Sequence, residues 1–250
     1  MSDVIEDAGS GTGAVRRALA TTGAHLMPPA AVSAALGAGP ADWDRFAAHW
    51  EELGRDRYAA EGGTCRLRRY GDFTLTGEGE LSAEPHVAFV QPKDTNPLFV
   101  DRDRHFEPLT DAFVADPLLR SLLALLSDVA AGLTDTSEWR VKVHPFRVVA
   151  AAGSEGRPTP EGRHQDGVTL VSSLLIGRDN ATGGRSAVFD EDGGELLTTT
   201  LAERGTLLLG DDRRTWHAVS PIRPADATAS ARRDVLVVTL TATGQAPPAG

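Results

Sequence analysis

The chain has 250 residues, a net charge of −10 and 41% hydrophobic residues. That length buries a core without cross-links, and that charge argues against binding a phosphate backbone, which needs clustered lysine and arginine. The one cysteine, Cys65, rules out an intrachain disulfide and fits a reducing cytoplasm.

The start, MSDVIEDAGS, is acidic where a secretory leader is basic, and no stretch approaches the length of a membrane span. The expectation is a cytoplasmic protein with no nucleic-acid or membrane partner. Residues 1–13 are small, polar and glycine-rich, and are expected to lack fixed structure. No apolar strand precedes GSGTGA, so a phosphate loop is not expected there. Helices are expected over AVRRALATTGAHLM and AAVSAALG, split by Pro28–Pro29. Another is expected over Ala41–Gly62, where Trp43, Phe46, Trp50, Leu53 and Arg57 recur at helical spacing. CRLRRYGDFTLT and HVAFVQP read as strands, with the basic cluster of Cys65–Phe73 on a solvated face. Leu109–Leu133 reads as one leucine-rich helix, or two joined near Pro117.

From Glu138 onward the chain reads almost entirely as strand. WRVKVHPFRVVAA, VTLVSSLLIG, RSAVFD, GTLLLG, WHAVSPI and DVLVVTLTA follow one another, separated by turn sequences such as RDNATGG and EDGG. Short strands at such spacing imply a sandwich or barrel. The fold class is therefore α+β: a jelly-roll-like barrel over 138–242, braced by mainly helical residues 14–137 with early strands. Residues 1–250 form one domain, with a loose tail over 243–250. The long apolar helix faces leave a monomer and a homodimer both open.

The candidate chemistry begins in PEGRHQDG. His164 and Asp166 are two apart, so on an extended segment an imidazole and a carboxylate face the same space. His217, in DDRRTWHAVSPI, adds a third ligand type about fifty residues later. Two histidines and one carboxylate on one face of a metal leave the other face open. That suits non-haem Fe(II), which must take a cosubstrate and dioxygen together; zinc hydrolases also use such ligands but need fewer open positions. Arg232 and Arg233 start the last strand, where a guanidinium can grip the far carboxylate of a keto acid such as 2-oxoglutarate. Parity does not choose between them, because both strand faces carry valine or leucine. His25, His49, His86 and His105 have no partner at metal spacing.

The order His-x-Asp, His, Arg resembles the Fe(II)- and 2-oxoglutarate-dependent dioxygenases built on a double-stranded β-helix. The likeness is closer to the bacterial free amino acid hydroxylases typified by L-isoleucine dioxygenase. It spans roughly Asp56 to Thr241 and rests on DRYAAEGGTCRLRRYGDF, VHPFRVVA, PEGRHQDG, LIGRDNATGGRSAVFD, DDRRTWHAVSPI and RRDVLVVTL in that order. NPLFVDRDRHFEPL lacks a glycine pair that the family often shows after NP, and the alanine-rich start has no clear counterpart. The resemblance implies His164, Asp166 and His217 as iron ligands, and Arg233, with Arg232 in reserve, as the 2-oxoglutarate anchor. It implies dioxygen as the second cosubstrate, and hydroxylation of an unactivated carbon of a free L-amino acid with release of succinate and carbon dioxide. An intact aspartate at the ligand position separates this site from related halogenases. A tailoring oxygenase acting on a peptide or carrier-bound intermediate, by hydroxylation, desaturation or cyclisation, is the alternative. Arg147, a charge among apolar residues in mid-strand, and His144 are the expected substrate contacts.

Overall fold

The computed structural model describes residues 11–61, 63–89, 103–136 and 138–243. Helix α1 (Gly11–Thr22) leads into strand β1 (Ala24–Met27), followed by helices α2 (Pro29–Leu36) and α3 (Pro40–Ala48). Proline opens both α2 and α3, at the position where a missing N–H costs nothing. Two expectations change here. Residues 11–13 already belong to α1, while residues 1–10 lie outside the described residues. Ala24–Met27 is strand rather than helix, because Gly23, at φ 79°, turns the chain out of α1.

Ala41–Gly62 is not one helix either. After α3 come a 3₁₀ turn (His49–Glu52), strand β2 (Gly54–Arg55) and helix α4 (Arg57–Glu61). Buried Asp56 restarts the helix, accepting the N–H groups of Tyr58 at 3.1 Å and Ala59 at 3.0 Å. Trp43, Phe46, Trp50 and Leu53 are nonetheless all core residues.

Strands β3 (Cys65–Arg68), β4 (Gly71–Thr76) and β5 (Leu81–Ala83) follow. Residues 86–88 of HVAFVQP form no strand, Phe89 makes a single bridge to Arg104, and 90–92 lie outside the described residues. The leucine-rich segment is two helices, α5 (Asp111–Ala115) and α6 (Pro117–Ala130). Asp116 separates them, capping α6 by accepting the N–H of Leu118 at 2.9 Å.

The barrel strands are β6 (Glu138–Ala150), β7 (Leu170–Asp179), β8 (Ala181–Gly183), β9 (Arg185–Phe189), β10 (Glu195–Thr200), β11 (Leu207–Asp211), β12 (Trp216–Val219), β13 (Ile222–Pro224) and β14 (Ala231–Ala242). The large sheet runs β1-β11-β7-β14-β6-β3-β2, with β4 also on β6 and β5 on β4. Smaller sheets, β10-β9-β12 and β13-β8, complete a double-stranded β-helix whose strand pairs are all antiparallel.

Alternation sorts the large sheet into two faces. Trp139, Val141, Val143, Leu236, Val238 and Leu240 join one hydrophobic cluster with Leu119, Leu122 and Leu126 of α6 and with Val15 and Leu19 of α1. This is the face on which the helices brace the barrel. Residues of the other parity, Lys142, His144, Phe146 and Val148 on β6 and Arg233, Val235, Val237 and Thr239 on β14, line an internal cavity.

Parity removes Arg147 from the expected substrate contacts. It shares the helix-side face with Val141 and Val143, directly opposite Asp234 in the register of β6 and β14. Both ends of its guanidinium are taken. Nε and Nη2 donate to the Asp234 carboxylate at 2.8 Å each, and Nη2 donates to Glu51 at 2.8 Å. The charge in mid-strand is there to neutralise a buried aspartate. Arg147→Ala leaves Asp234 buried without its partner, and is expected to cost about 3–5 kcal/mol in urea denaturation with the KM for substrate unchanged. A raised KM at unchanged stability would return Arg147 to the site.

Candidate active site

The segment before β7 folds back along β12. His164 N–H donates to the carbonyl of His217 at 3.0 Å, and His217 N–H donates to the carbonyl of His164 at 2.9 Å. This isolated antiparallel bridge sets the two imidazoles 4.3 Å apart, centroid to centroid. Asp166 then joins them by strand parity. Its Oδ1 lies 3.9 Å from His164 Nε2 and its Oδ2 3.7 Å from His217 Nε2. One ligand atom from each residue falls within 4.8 Å of the others, a group able to hold a metal ion.

Protonation suits that use. His164 Nδ1 lies 3.0 Å from the carbonyl of Gly162. A carbonyl only accepts, so Nδ1 is the donor in this contact and Nε2 is the nitrogen left to face a metal. His217 is pushed down to about 4, by burial first and by His164 second, with Asp166 opposing. It is therefore a neutral imidazole, the form that ligates.

Asp212 supports this cluster from behind. Almost fully buried, it accepts the N–H groups of Asp166 at 2.9 Å and Val168 at 3.0 Å. Burial and the neighbouring Asp166 charge raise its pKa to about 7, against the pull of those backbone donors. Gln165 adds a second tie, donating to the carbonyl of Asp212 at 2.7 Å. The ligand segment is thus fastened to the turn that leads into β12. Asp212 escaped the sequence reading; its only signal was an aspartate pair in a segment with little else to explain it.

The triad opens into a cavity of about 150 Å³. Arg233 reaches into it from β14, only 4% exposed, with an Nε that has no hydrogen-bond partner. Burial, then the charge of Arg178, lowers its pKa to about 10. Arg232 has the opposite parity: its side chain is half exposed, 3.7 Å from Glu51 and 3.8 Å from Asp179. His144 lines the cavity between Tyr70 and Phe146, with its Nδ1 accepting from Arg68 Nη2 at 2.6 Å. Burial, then the Arg68 charge, holds its pKa well below the ordinary value. Arg147 does not line the cavity.

The basic cluster at Cys65–Phe73 is not a solvated face. β3 pairs with β6 so that Arg66 stands opposite Val148 and Arg68 opposite Phe146, which places both arginines on the cavity side. Arg66 is neutralised internally by Asp56 at 2.8 Å. Arg68 lies against the rings of Phe106 and Phe146, at 3.8 Å and 4.5 Å from their centroids. Lys142 and Glu161 also line the cavity, and neither stood out in the sequence.

Known proteins can now be set beside this geometry. A family model described as 2OG-Fe dioxygenase matches residues 47–239. A curated relative, 3(1)-hydroxy-L-isoleucine 4-dioxygenase of Pantoea ananatis (strain AJ13355), is 25% identical over 179 residues, covering 70% of this chain and 72% of the relative. The crystal structure of a bsmA homologue from Methylobium petroleophilum PM1 is 36% identical, with a TM-score of 0.86 and coverage of 95% of this chain and 96% of that one. The structure of IDO from Bacillus thuringiensis shares the fold at a TM-score of 0.77, with 17% identity and coverage of 97% and 100%. The matched span takes in the barrel up to Thr239 of β14 and every residue of the triad, and the chain belongs to the 2OG-Fe dioxygenase family, oxidoreductases that use Fe(II), 2-oxoglutarate and dioxygen.

Proposed function

We propose that the chain hydroxylates an unactivated carbon of a free L-amino acid, with His164, Asp166 and His217 holding Fe(II) and Arg233 holding 2-oxoglutarate. The observation that carries this reading is Arg233. Its nearly buried guanidinium, with Nε unsatisfied, shares one small cavity with the triad. A buried cation without an anion is costly, and the far carboxylate of 2-oxoglutarate supplies one. The amino acid substrate finds support in the curated relative, whose name gives a hydroxylated L-isoleucine as its substrate.

The donor set fits iron. Two imidazoles and one carboxylate on one side would leave the opposite side free for a chelating keto acid and dioxygen. When bound, iron would couple the oxidative decarboxylation of 2-oxoglutarate, which supplies two electrons and leaves succinate and carbon dioxide, to the activation of dioxygen, which is the oxidant and supplies one oxygen atom to succinate and one to the product. The chain's own residues bind and orient. Asp212 keeps the Asp166 backbone in place, and the Gly162 carbonyl keeps His164 Nε2 turned towards the site. Val171, Val219, Val235 and Val237 give the cavity apolar walls that limit water.

His164→Ala and Asp166→Ala are each expected to abolish iron-dependent succinate formation; full turnover in both would remove the metal assignment. Arg233→Met is expected to raise the KM for 2-oxoglutarate at least tenfold, the loss of about 1.5–3 kcal/mol from a charge-assisted hydrogen bond. Arg232→Met is expected to leave that KM unchanged. Iron-loaded protein incubated with each free L-amino acid is expected to add one oxygen atom to at least one of them by mass spectrometry. Oxidation of carrier-loaded amino acids alone would select the tailoring alternative.

A further inference from the structure

Glu161 lies three residues before His164 with its side chain 11% exposed, and its Oε1 is 3.4 Å from His164 Nε2. Among the described residues, no hydrogen bond and no other ion pair within 4 Å reaches this carboxylate. Nδ1 of His164 is turned to the Gly162 carbonyl at 3.0 Å, so the nitrogen facing Glu161 is the one that would be committed to the iron, and as a ligand it has no proton to give. Glu161 is therefore a largely buried acceptor beside the triad, with no hydrogen-bond donor of its own once His164 is a ligand; the charge of Arg104, which lines the same cavity, acts on it only from beyond ion-pair contact. A carboxylate in that position needs a cation.

The same cavity holds the opposite deficit. Arg68 is 4% exposed; its one hydrogen bond goes to neutral His144, and its Nε has no partner. Lys142 points into the cavity from the same face of β6 as His144. Neither cation has a carboxylate within 4 Å among the described residues. Arg233 pairs with Val148, Arg68 stands opposite Phe146, two residues along β6, and Lys142 is six residues along it. The Lys142 end of the wall is therefore on the order of 20 Å from the Arg233 end at about 3.3 Å per residue. One anion the length of 2-oxoglutarate does not span from Arg233 to Lys142.

We infer that Glu161 receives the ammonium group of the substrate while Arg68 and Lys142 receive its carboxylate, so that the cavity selects a free amino acid as a zwitterion. This rests on the amino acid reading above and sharpens it. A carrier-bound amino acid has its carboxyl group in a neutral thioester and leaves Arg68 and Lys142 unmatched. An acid lacking the amino group leaves Glu161 unmatched.

Calorimetry on protein loaded with Mn(II) and 2-oxoglutarate tests this without turnover, using the twenty standard L-amino acids as probes. For whichever amino acid binds, the titration is repeated with its amide and with the acid lacking the α-amino group. Glu161→Gln is expected to weaken binding of the amino acid at least tenfold, to leave the already weak binding of the amine-free acid unchanged, and to leave Mn(II) affinity unchanged. Arg68→Met is expected to weaken the amino acid but not its amide. Glu161→Gln alone suffices should Arg68→Met fail to fold. If an amino acid binds Glu161→Gln as tightly as wild type, the inference is overturned and the amino acid reading stands. If Glu161→Gln instead weakens Mn(II) tenfold, Glu161 is a metal ligand and the inference is likewise overturned. If wild-type protein binds no free amino acid, the reading itself falls and takes the inference with it.

Discussion

Two reciprocal backbone hydrogen bonds between His164 and His217 hold together residues more than fifty positions apart in the chain. Each such bond contributes on the order of 1 kcal/mol net, too little to hold a loop against a strand unaided. Asp212 supplies the rest, because a buried carboxylate receiving the N–H groups of Asp166 and Val168 cannot release them without being left unsatisfied. The large sheet, the helices behind it and the pairing of β12 with β9 all serve to keep that one crossing in register. A shift of one residue at the bridge turns Asp166 or a histidine away from the common space.

Charge is the second constraint. Among the described residues, two of the cavity's arginines have no carboxylate within ion-pair distance. Arg66 has Asp56 as its partner, whereas Arg233 and Arg68 keep unsatisfied nitrogens inside the protein. Such groups make the free protein less stable than a fully paired interior would be. Ligands that pair them recover that energy on binding, so affinity for small anions and thermal stability are linked. The helical layer gives the sheet an apolar backing dense enough to tolerate the expense. Leu119, Leu122, Leu126, Trp139 and Val141 are at most 1% exposed.

The barrel and its triad were legible in the sequence because both follow short-range rules. Alternating valines mark strands, and His-x-Asp puts two ligands on one side whatever the fold does elsewhere. Choosing between Arg232 and Arg233 needed the partner face, since Val235 and Leu236 suit an interior equally. The same missing knowledge misplaced Arg147, whose counter-charge stands on a strand that is its neighbour only after folding. It also hid Arg66 and Arg68, where a basic run on an edge-like strand turns out to face inwards because β3 docks beside β6. Ala24–Met27 was misread for a related reason. Helical spacing continues past Gly23, but a backbone at φ 79° and a place beside β11 decide the outcome.

The central claim is that three side chains and one arginine form a single ligand-binding unit. A crystal structure of the protein grown without oxygen in the presence of Fe(II) and 2-oxoglutarate tests it most directly. The account predicts an anomalous iron peak bonded to His164, Asp166 and His217, with the keto acid running from the iron to the guanidinium of Arg233. Iron bound elsewhere, or 2-oxoglutarate anchored on Arg68 with Arg233 unoccupied, would contradict it.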